Sequence, residues 1–148
     1  MAVQVKVSGI NILLSDLDKY SKEVQQGIYK ELRGWAERTE ADAQRDVPVD
    51  TGALKSTIRT SSENNGLTWV VKAGGTGKVD YAPYIEFGTG AGVNESFLQE
   101  YGLVQYANQF RGNQPPFYPL PSRSFIYRNA RIEFEKTLAN IKKLIQQT

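Results

Sequence analysis

The sequence of 148 residues contains no cysteine and no histidine. Without cysteine there is no disulfide framework and no thiolate metal site. Without histidine, Ser-His and Cys-His nucleophile systems are excluded, together with most zinc and non-haem iron sites. An enzyme made from this chain would have to use carboxylates, lysine or tyrosine. We therefore predict no metal site and no cofactor.

Long apolar runs are missing as well. No segment approaches the roughly 20 apolar residues that cross a bilayer. The N-terminal stretch MAVQVKVSG also lacks the apolar core of a signal peptide. We therefore expect no membrane partner, and a chain that is made and folds in a cytoplasm.

Positive charge is not gathered in one place. The chain has 18 basic and 16 acidic residues, and in KYSKEVQQGIYKELRGWAERTEADAQRD the two signs alternate at helical spacing. That pattern is typical of a solvated helix face with ion pairs. Nucleic-acid-binding proteins usually gather lysine and arginine into one patch or stripe. We therefore do not expect sequence-specific recognition of nucleic acid.

The N-terminal third predicts a strand and a long helix. In VQVKV, valines alternate with polar residues, which indicates a short strand. From Asn11 to about Asp46, apolar residues recur every three or four positions, which predicts an amphipathic helix with a possible break near Ser15 or Gly27. Pro48 should end this helix, because proline has no N–H to donate to the helical ladder.

Two turn signals follow in the middle of the chain. The Asn-Gly turn in ENNG lies between the β-leaning segments Ile58–Ser62 and Leu67–Ala73, and it predicts a hairpin. In YAPYIEFGTG, Pro83 suits a first helical turn and Gly88 suits its end. An extended segment over residues 81–87 is the alternative.

Residues 90–121 carry few charges and many aromatic rings, and they include QPPFYPLP. This composition predicts a long loop or excursion, and such loops are often functional. Aromatic residues suit protein–protein contacts, so we expect partner contacts from Phe97, Tyr101, Tyr106, Phe110, Phe117 and Tyr118. The alternative is that the segment folds back to cover its own sheet.

The C-terminal part predicts a last amphipathic helix, opened by Ser122 or Ser124. Its expected apolar stripe is Tyr127, Ala130, Phe134, Leu138, Ile141 and Ile145. Together the elements predict one α+β domain over residues 1–148. The long helix, a short helix and the C-terminal helix would pack on a small antiparallel sheet, with the long aromatic loop added.

Asp50-Thr51-Gly52 matches the sequence around the catalytic aspartate of retroviral-type aspartic proteases. In those enzymes the aspartate ends a buried apolar strand, and two copies share one proton across a dimer. Here Pro48 and a charged helix precede the motif. A cap from Asp50 or Thr51 on a short helix over Gly52–Thr57 explains the same residues. We therefore predict no catalytic residue.

The stretch GGTGK at residues 74–78 comes close to a phosphate-binding loop. That motif requires a glycine and a hydroxyl at the positions that Lys72 and Val79 occupy here. It also requires a strand before the loop and a helix after it, which the pattern does not predict. We therefore expect a plain loop.

Glu86 stands among aromatic residues. A general acid would need a second carboxylate or a lysine beside it, and none lies at helical or strand spacing. We predict a structural role instead. Its carboxylate would accept N–H bonds from the turn at Gly88-Thr89, or pair with Arg59 or Arg123.

Three phrases occur in a fixed order: PVDTGALKSTI after a long helix, then YAPYIEFGTG, then SRSF before the last helix. In this order, and after the opening VQVKVSGINILLSDL, they resemble the tail-completion or neck proteins of long-tailed bacteriophages. The sequence departs from the family at Ser124, where the family tends to have proline, and in its longer segment between the second and third phrases. The residues that carry the resemblance are Pro48, Asp50, Thr51, Gly52, Tyr81, Tyr84, Glu86, Phe87, Gly88, Thr89 and Phe125.

This resemblance implies a structural virion protein without enzymatic activity, made in the host bacterial cytoplasm and placed at the head–tail junction. Copies would form a ring or dock around the connector. They would contact one another and the neighbouring connector, tail-terminator or tail-tube proteins, with the genome passing nearby. A nucleic-acid-binding module and a hydrolase using Asp50 are the alternative functions.

Overall fold

The structure, a computed structural model, describes residues 2–6, 17–48, 52–63, 66–75, 79, 81–111 and 120–146. Two short 3-10 turns, Leu17–Lys19 and Gly90–Gly92, accompany the main elements. In chain order those elements are β1 (Ala2–Lys6), α1 (Lys22–Asp46), α2 (Ala53–Ser56), β2 (Arg59–Glu63), β3 (Thr68–Gly74), α3 (Ala82–Phe87), α4 (Glu95–Glu100), α5 (Val104–Arg111) and α6 (Tyr127–Gln146).

The three strands form one antiparallel sheet in the order β1-β3-β2. The hairpin of β2 and β3 is the one that the Asn-Gly turn predicts, so that prediction is confirmed. One face of the sheet is buried beneath α1, through residues such as Val3, Val71 and Ala73. The opposite face carries exposed polar side chains, including Gln4 and Lys72. This alternation is usual for an antiparallel sheet with one wet face.

Helices α1 and α6 pack against each other and run antiparallel. Gly27 near the start of α1 lies beside Leu144 near the end of α6. Further along α1, the indole N–H of Trp35 donates to the carbonyl of Ala130 at 2.9 Å. With the sheet beneath α1, this pair gives the α+β architecture that the sequence predicts.

The side of α6 that faces α1 is more polar than expected. Its buried residues are Asn129, Ala130, Glu133, Thr137 and Ile141. The expected stripe members Phe134, Leu138 and Ile145 are only half-buried. On this side, Arg38 of α1 donates to Glu133 and to the hydroxyl of Thr137, both at 2.8 Å.

Helix α1 begins later than the apolar spacing predicts. It starts at Lys22, where the hydroxyl of Ser21 accepts the N–H of Val24 at 3.2 Å and so caps the first turn. It passes through Gly27 without interruption, so the expected break there is wrong, and Ser15 lies outside the described residues. Pro48 follows the C-terminal cap as predicted.

Residues 95–111 form two helices, so the expectation of a loop is wrong for them. Asn94 caps α4 by accepting the N–H of Phe97 at 3.0 Å. The inner sides of α4 and α5 are buried, which supports the alternative that this segment covers the chain's own core. Each helix spans only about two turns, too few for its apolar positions to establish a helical period. The buried residues are Phe97, Leu98, Leu103, Ala107 and Phe110.

We predict that Phe97→Ala lowers the free energy of unfolding by about 3–5 kcal/mol, because it empties a buried ring site. The ring is 2% exposed, packs 4.7 Å from the ring of Tyr101, and has the guanidinium of Arg128 4.9 Å from its centroid. Urea denaturation followed by circular dichroism measures the change. Gln99→Ala, at an exposed position of the same helix, is the control and should change stability by about 0.5 kcal/mol or less. Equal effects of the two changes would contradict a core role for α4.

Candidate functional site

The phrase YAPYIEFGTG forms the short helix α3 and the turn after it. Pro83 lies in the first turn, where its missing N–H is harmless. Gly88 ends the helix with a φ of 79°, and its N–H donates to the carbonyl of Tyr84 at 2.8 Å. The helical interpretation is therefore confirmed, and the extended alternative is wrong.

The carboxylate of Glu86 is fully buried and points at the N-terminus of α6. One oxygen accepts the N–H of Phe125 at 3.1 Å and that of Ile126 at 3.0 Å. The other accepts the N–H of Tyr127 at 3.2 Å and the hydroxyl of Ser124. We call this set of contacts the Glu86 junction.

The Glu86 junction provides hydrogen-bond acceptors and negative charge at the N-terminus of α6. The first N–H groups of a helix have no partner within it, and the helix dipole is positive at that end. A carboxylate accepts hydrogen bonds from these N–H groups, and its negative charge interacts favourably with the positive end of the dipole. Burial raises the pKa of Glu86 above its ordinary value, while its four hydrogen-bond donors act in the opposite direction.

Glu86 accepts backbone N–H bonds, as predicted from the sequence, but its partners are different. The expected partners were the turn at Gly88-Thr89, Arg59 and Arg123. Instead the guanidinium of Arg59 donates to the carbonyl of Ile58. The true partners lie about forty residues further along the chain, at 124–127, so no local spacing could reveal them.

The segment entering α6 runs against the turn after α3, and we call this pairing the clasp. Thr89 donates its N–H to the carbonyl of Leu120 at 3.0 Å, and its hydroxyl accepts the N–H of Leu120 at 2.8 Å. Ser122 donates its N–H to the carbonyl of Gly92 at 3.1 Å. A Cβ on Gly88 would lie 2.6 to 2.8 Å from backbone atoms of three of these residues. The glycine is therefore required by close approach as well as by its φ.

Two tyrosines connect the site to the sheet. The N–H of Gln4 donates to the hydroxyl of Tyr106 at 3.2 Å, and the hydroxyl of Tyr127 donates to the carbonyl of Gln4. The ring of Phe87 lies 5.8 Å from that of Tyr106 and 5.9 Å from that of Tyr127. Burial raises the pKa of both tyrosines. The site therefore joins α3, α5, α6 and β1.

The first family phrase is described only in part. Gly52 precedes α2 with a φ of 81° and contributes no side-chain cap. Asp50 and Thr51 lie outside the described residues, so their capping role stays a prediction. Pro48 is half-buried.

The aromatic residues expected to contact partners divide into three groups. Phe97 and Phe110 are buried inside the chain, so neither ring is available to a partner, and that expectation is corrected. Tyr101 and Tyr106 are half-buried, and Tyr101 has the guanidinium of Arg131 4.6 Å from its ring centroid. Phe117 and Tyr118 lie outside the described residues.

A second polar cluster lies between α1 and α6. Glu133 accepts Arg38 at 2.8 Å and Lys136 at 3.3 Å. Burial and the adjacent Glu133 raise the pKa of Asp42, whereas Arg38, Asp42 and Lys136 lower the pKa of Glu133 against the effect of its burial. Glu133 and Asp42 therefore both take part in the contact between α6 and α1. Across the described ranges, no cluster of three or more carboxylates could hold a metal ion.

We predict that Glu86→Gln lowers the free energy of unfolding by about 1–3 kcal/mol. The NH2 group of the glutamine side chain would face donors that a carboxylate oxygen now accepts, and those donors would lose their acceptor. Denaturant titration at pH 7 measures the loss, with Glu135→Gln at an exposed position of α6 as the control.

The raised pKa of Glu86 means that the folded state keeps its proton to higher pH than the unfolded state. The advantage of the wild type over Glu86→Gln should therefore shrink as pH rises above 4.5. An advantage that grows with pH would contradict this assignment.

We predict that Gly88→Ala destabilises the protein by more than Gly102→Ala. Both glycines have positive φ, 79° and 67°, so both variants carry the backbone cost of about 1–3 kcal/mol. Only Gly88 has backbone atoms within 3.0 Å of the added methyl group, whereas Gly102 has nothing within 4 Å. Thermal denaturation of the pair isolates the packing effect. Equal losses would show that the clasp does not require close approach.

The described helices include none that is both long and apolar enough to cross a membrane. No curated protein and no solved structure matches the chain significantly. The profile of the HK97-gp10-like family, described as "Bacteriophage HK97-gp10, putative tail-component", matches residues 12–88, which is just over half of the chain. That region holds the long helix, the hairpin and α3 with Glu86. The chain therefore belongs to the HK97-gp10-like family of phage tail components, a structural class and not an enzymatic one.

Proposed function

We propose that this tail component acts at the head-proximal end of the tail, as a tail-completion or neck subunit. The observation that carries the proposal is the position of the family match. Residues 12–88 include PVDTGALKSTI and nearly all of YAPYIEFGTG, the two phrases that resemble tail-completion proteins. The virion neck is accordingly its proposed location.

The Glu86 junction supports a structural use of the second phrase. Its one carboxylate is occupied by four donors from residues 124–127, and it is shielded from solvent. A group held in this way fixes the position of α6. The motif that most resembles the family therefore builds the scaffold on which contact surfaces are carried.

Several copies would form a ring or dock around the connector. A ring needs two different surfaces on each subunit, because its contacts are head-to-tail. Two unlike surfaces are available. One is the charged outer side of α1, and the other is the outer side of α4 and α5, which carries Gln99, Glu100, Gln105, Asn108 and Gln109.

The outer side of α4 and α5 takes the place of the aromatic contact surface expected from the sequence. It lies beside β1, whereas β2 forms the other edge of the sheet. The proposed partners are other copies of the chain and connector, tail-terminator or tail-tube proteins. The genome would pass nearby without sequence-specific contact.

We predict that a phage with an early stop codon in this gene produces filled heads that are separate from tails, or tails with a faulty head-proximal end. Negative-stain electron microscopy of the lysate shows either defect. The same phage grown in a suppressor host is the control and should yield joined particles. Normal infectious particles in the non-suppressing host would contradict the neck assignment. Absent tails would indicate an earlier role in tail assembly.

A further inference from the structure

The two edges of the sheet differ. At the β1 edge, Gln4 turns its N–H and its carbonyl outward, and the hydroxyls of Tyr106 and Tyr127 engage both. Covering an edge in this way prevents pairing with another strand. This edge is therefore closed at Gln4, its middle residue.

The register identifies which backbone groups face outward at the other edge. Because Gln4 lies opposite Lys72 and bonds outward, the backbone groups of Lys72 turn toward β2. Lys72 therefore bonds to Arg59, and the intervening residues Thr60 and Ser62 turn their N–H and carbonyl groups away from β3. No described residue bonds these outward groups. Within the part of the chain that the structure describes, the β2 edge is therefore open.

Arg59 of β2 and Lys72 of the neighbouring strand β3 have no acidic partner among the described residues. Arg59 and Lys72 are directly opposite on the wet face of the sheet, an arrangement of like charges that is destabilising. Neither forms an ion pair with a described acid, although Lys6 and Glu63 on the same face do so at 3.3 Å. The guanidinium of Arg59 bonds the carbonyl of Ile58 at 2.7 Å, which places the charge at the edge itself.

We propose that the β2 edge receives an extended acidic segment of a neighbouring tail protein as a fourth strand. The outward groups of Thr60 and Ser62 would supply main-chain hydrogen bonds, as in other cases of strand addition. A carboxylate on the added strand would lie against Arg59, on the strand beside it, and would offset the repulsion between Arg59 and Lys72. This inference rests on membership of the tail-component family and does not require the neck position.

The charges favour this occupant over two others. A second copy would bring its own Arg59 and Lys72, while its Glu63 is already paired with Lys6. Nucleic acid would meet few unpaired cations here, and the described residues of β2 offer no aromatic ring on which bases could stack. A row of alternating N–H and carbonyl groups matches a peptide strand and not a phosphate backbone.

Hydrogen exchange with mass spectrometry tests the proposal on the free protein and on purified tails that contain it. We expect the amides of Thr60 and Ser62 to exchange rapidly in the free protein and at least about tenfold more slowly in tails. Unprotected amides in tails would overturn the proposal. Protection in the free protein at high concentration, together with a dimer in analytical ultracentrifugation, would overturn it in favour of a second copy.

Substitutions separate the backbone and charge contributions. Ser62→Pro removes an outward N–H but no hydrogen bond between β2 and β3. It should therefore reduce incorporation into tails about fivefold or more, whereas Ser62→Ala should not. Arg59→Glu should also reduce incorporation, whereas Lys30→Glu at an exposed position of α1 should not. Circular dichroism confirms that each variant is folded. Normal incorporation of both Ser62→Pro and Arg59→Glu would overturn the proposal, and absence of the wild type from tails would overturn the family-based function instead.

Discussion

The architecture depends on one contact, the buried carboxylate of Glu86 at the N-terminus of α6. A helix end that is buried without acceptors would leave several N–H groups unpaired, and each costs free energy comparable to a lost hydrogen bond. Glu86 removes that cost, and its four donors in turn offset part of the penalty of burying an acid. Because α6 packs along α1, which covers the sheet, this contact also determines where the C-terminal helix meets the core.

The clasp and the tyrosine contacts extend the same arrangement. Backbone bonds between the turn at residues 88–92 and the segment at 120–123 bring the two ends of the intervening chain together. Tyr127, in the first turn of α6, and Tyr106, on α5, then reach the edge of β1 at Gln4. The position of α6 thereby decides which edge of the sheet is closed. Among the described residues, no such contact covers the outward backbone groups of β2.

Local signals predicted the parts of the fold that depend on short-range chemistry. The Asn-Gly hairpin, the helix with Pro83 and Gly88, and the stop at Pro48 follow from backbone geometry within a few residues. The partners of Glu86 depend on a contact across about forty residues, which no spacing rule reveals. Helices α4 and α5 were missed because their apolar positions span too few turns to establish a period. The polar face of α6 was missed because its partners, such as Arg38, belong to another helix.

The clasp also explains how a long segment between the second and third family phrases is compatible with the fold. Thr89 and Leu120 are hydrogen-bonded neighbours, so the chain between them begins and ends at one place. The entropic cost of closing such a segment grows only slowly with its length. The scaffold therefore sets little limit on the number of residues inserted there, provided that the glycines and the Glu86 junction are kept. In this chain the insertion supplies α5, whose tyrosine covers β1. The proposed partner surfaces, which are the charged outer side of α1, the outer side of the insertion and the β2 edge, all lie outside these contacts.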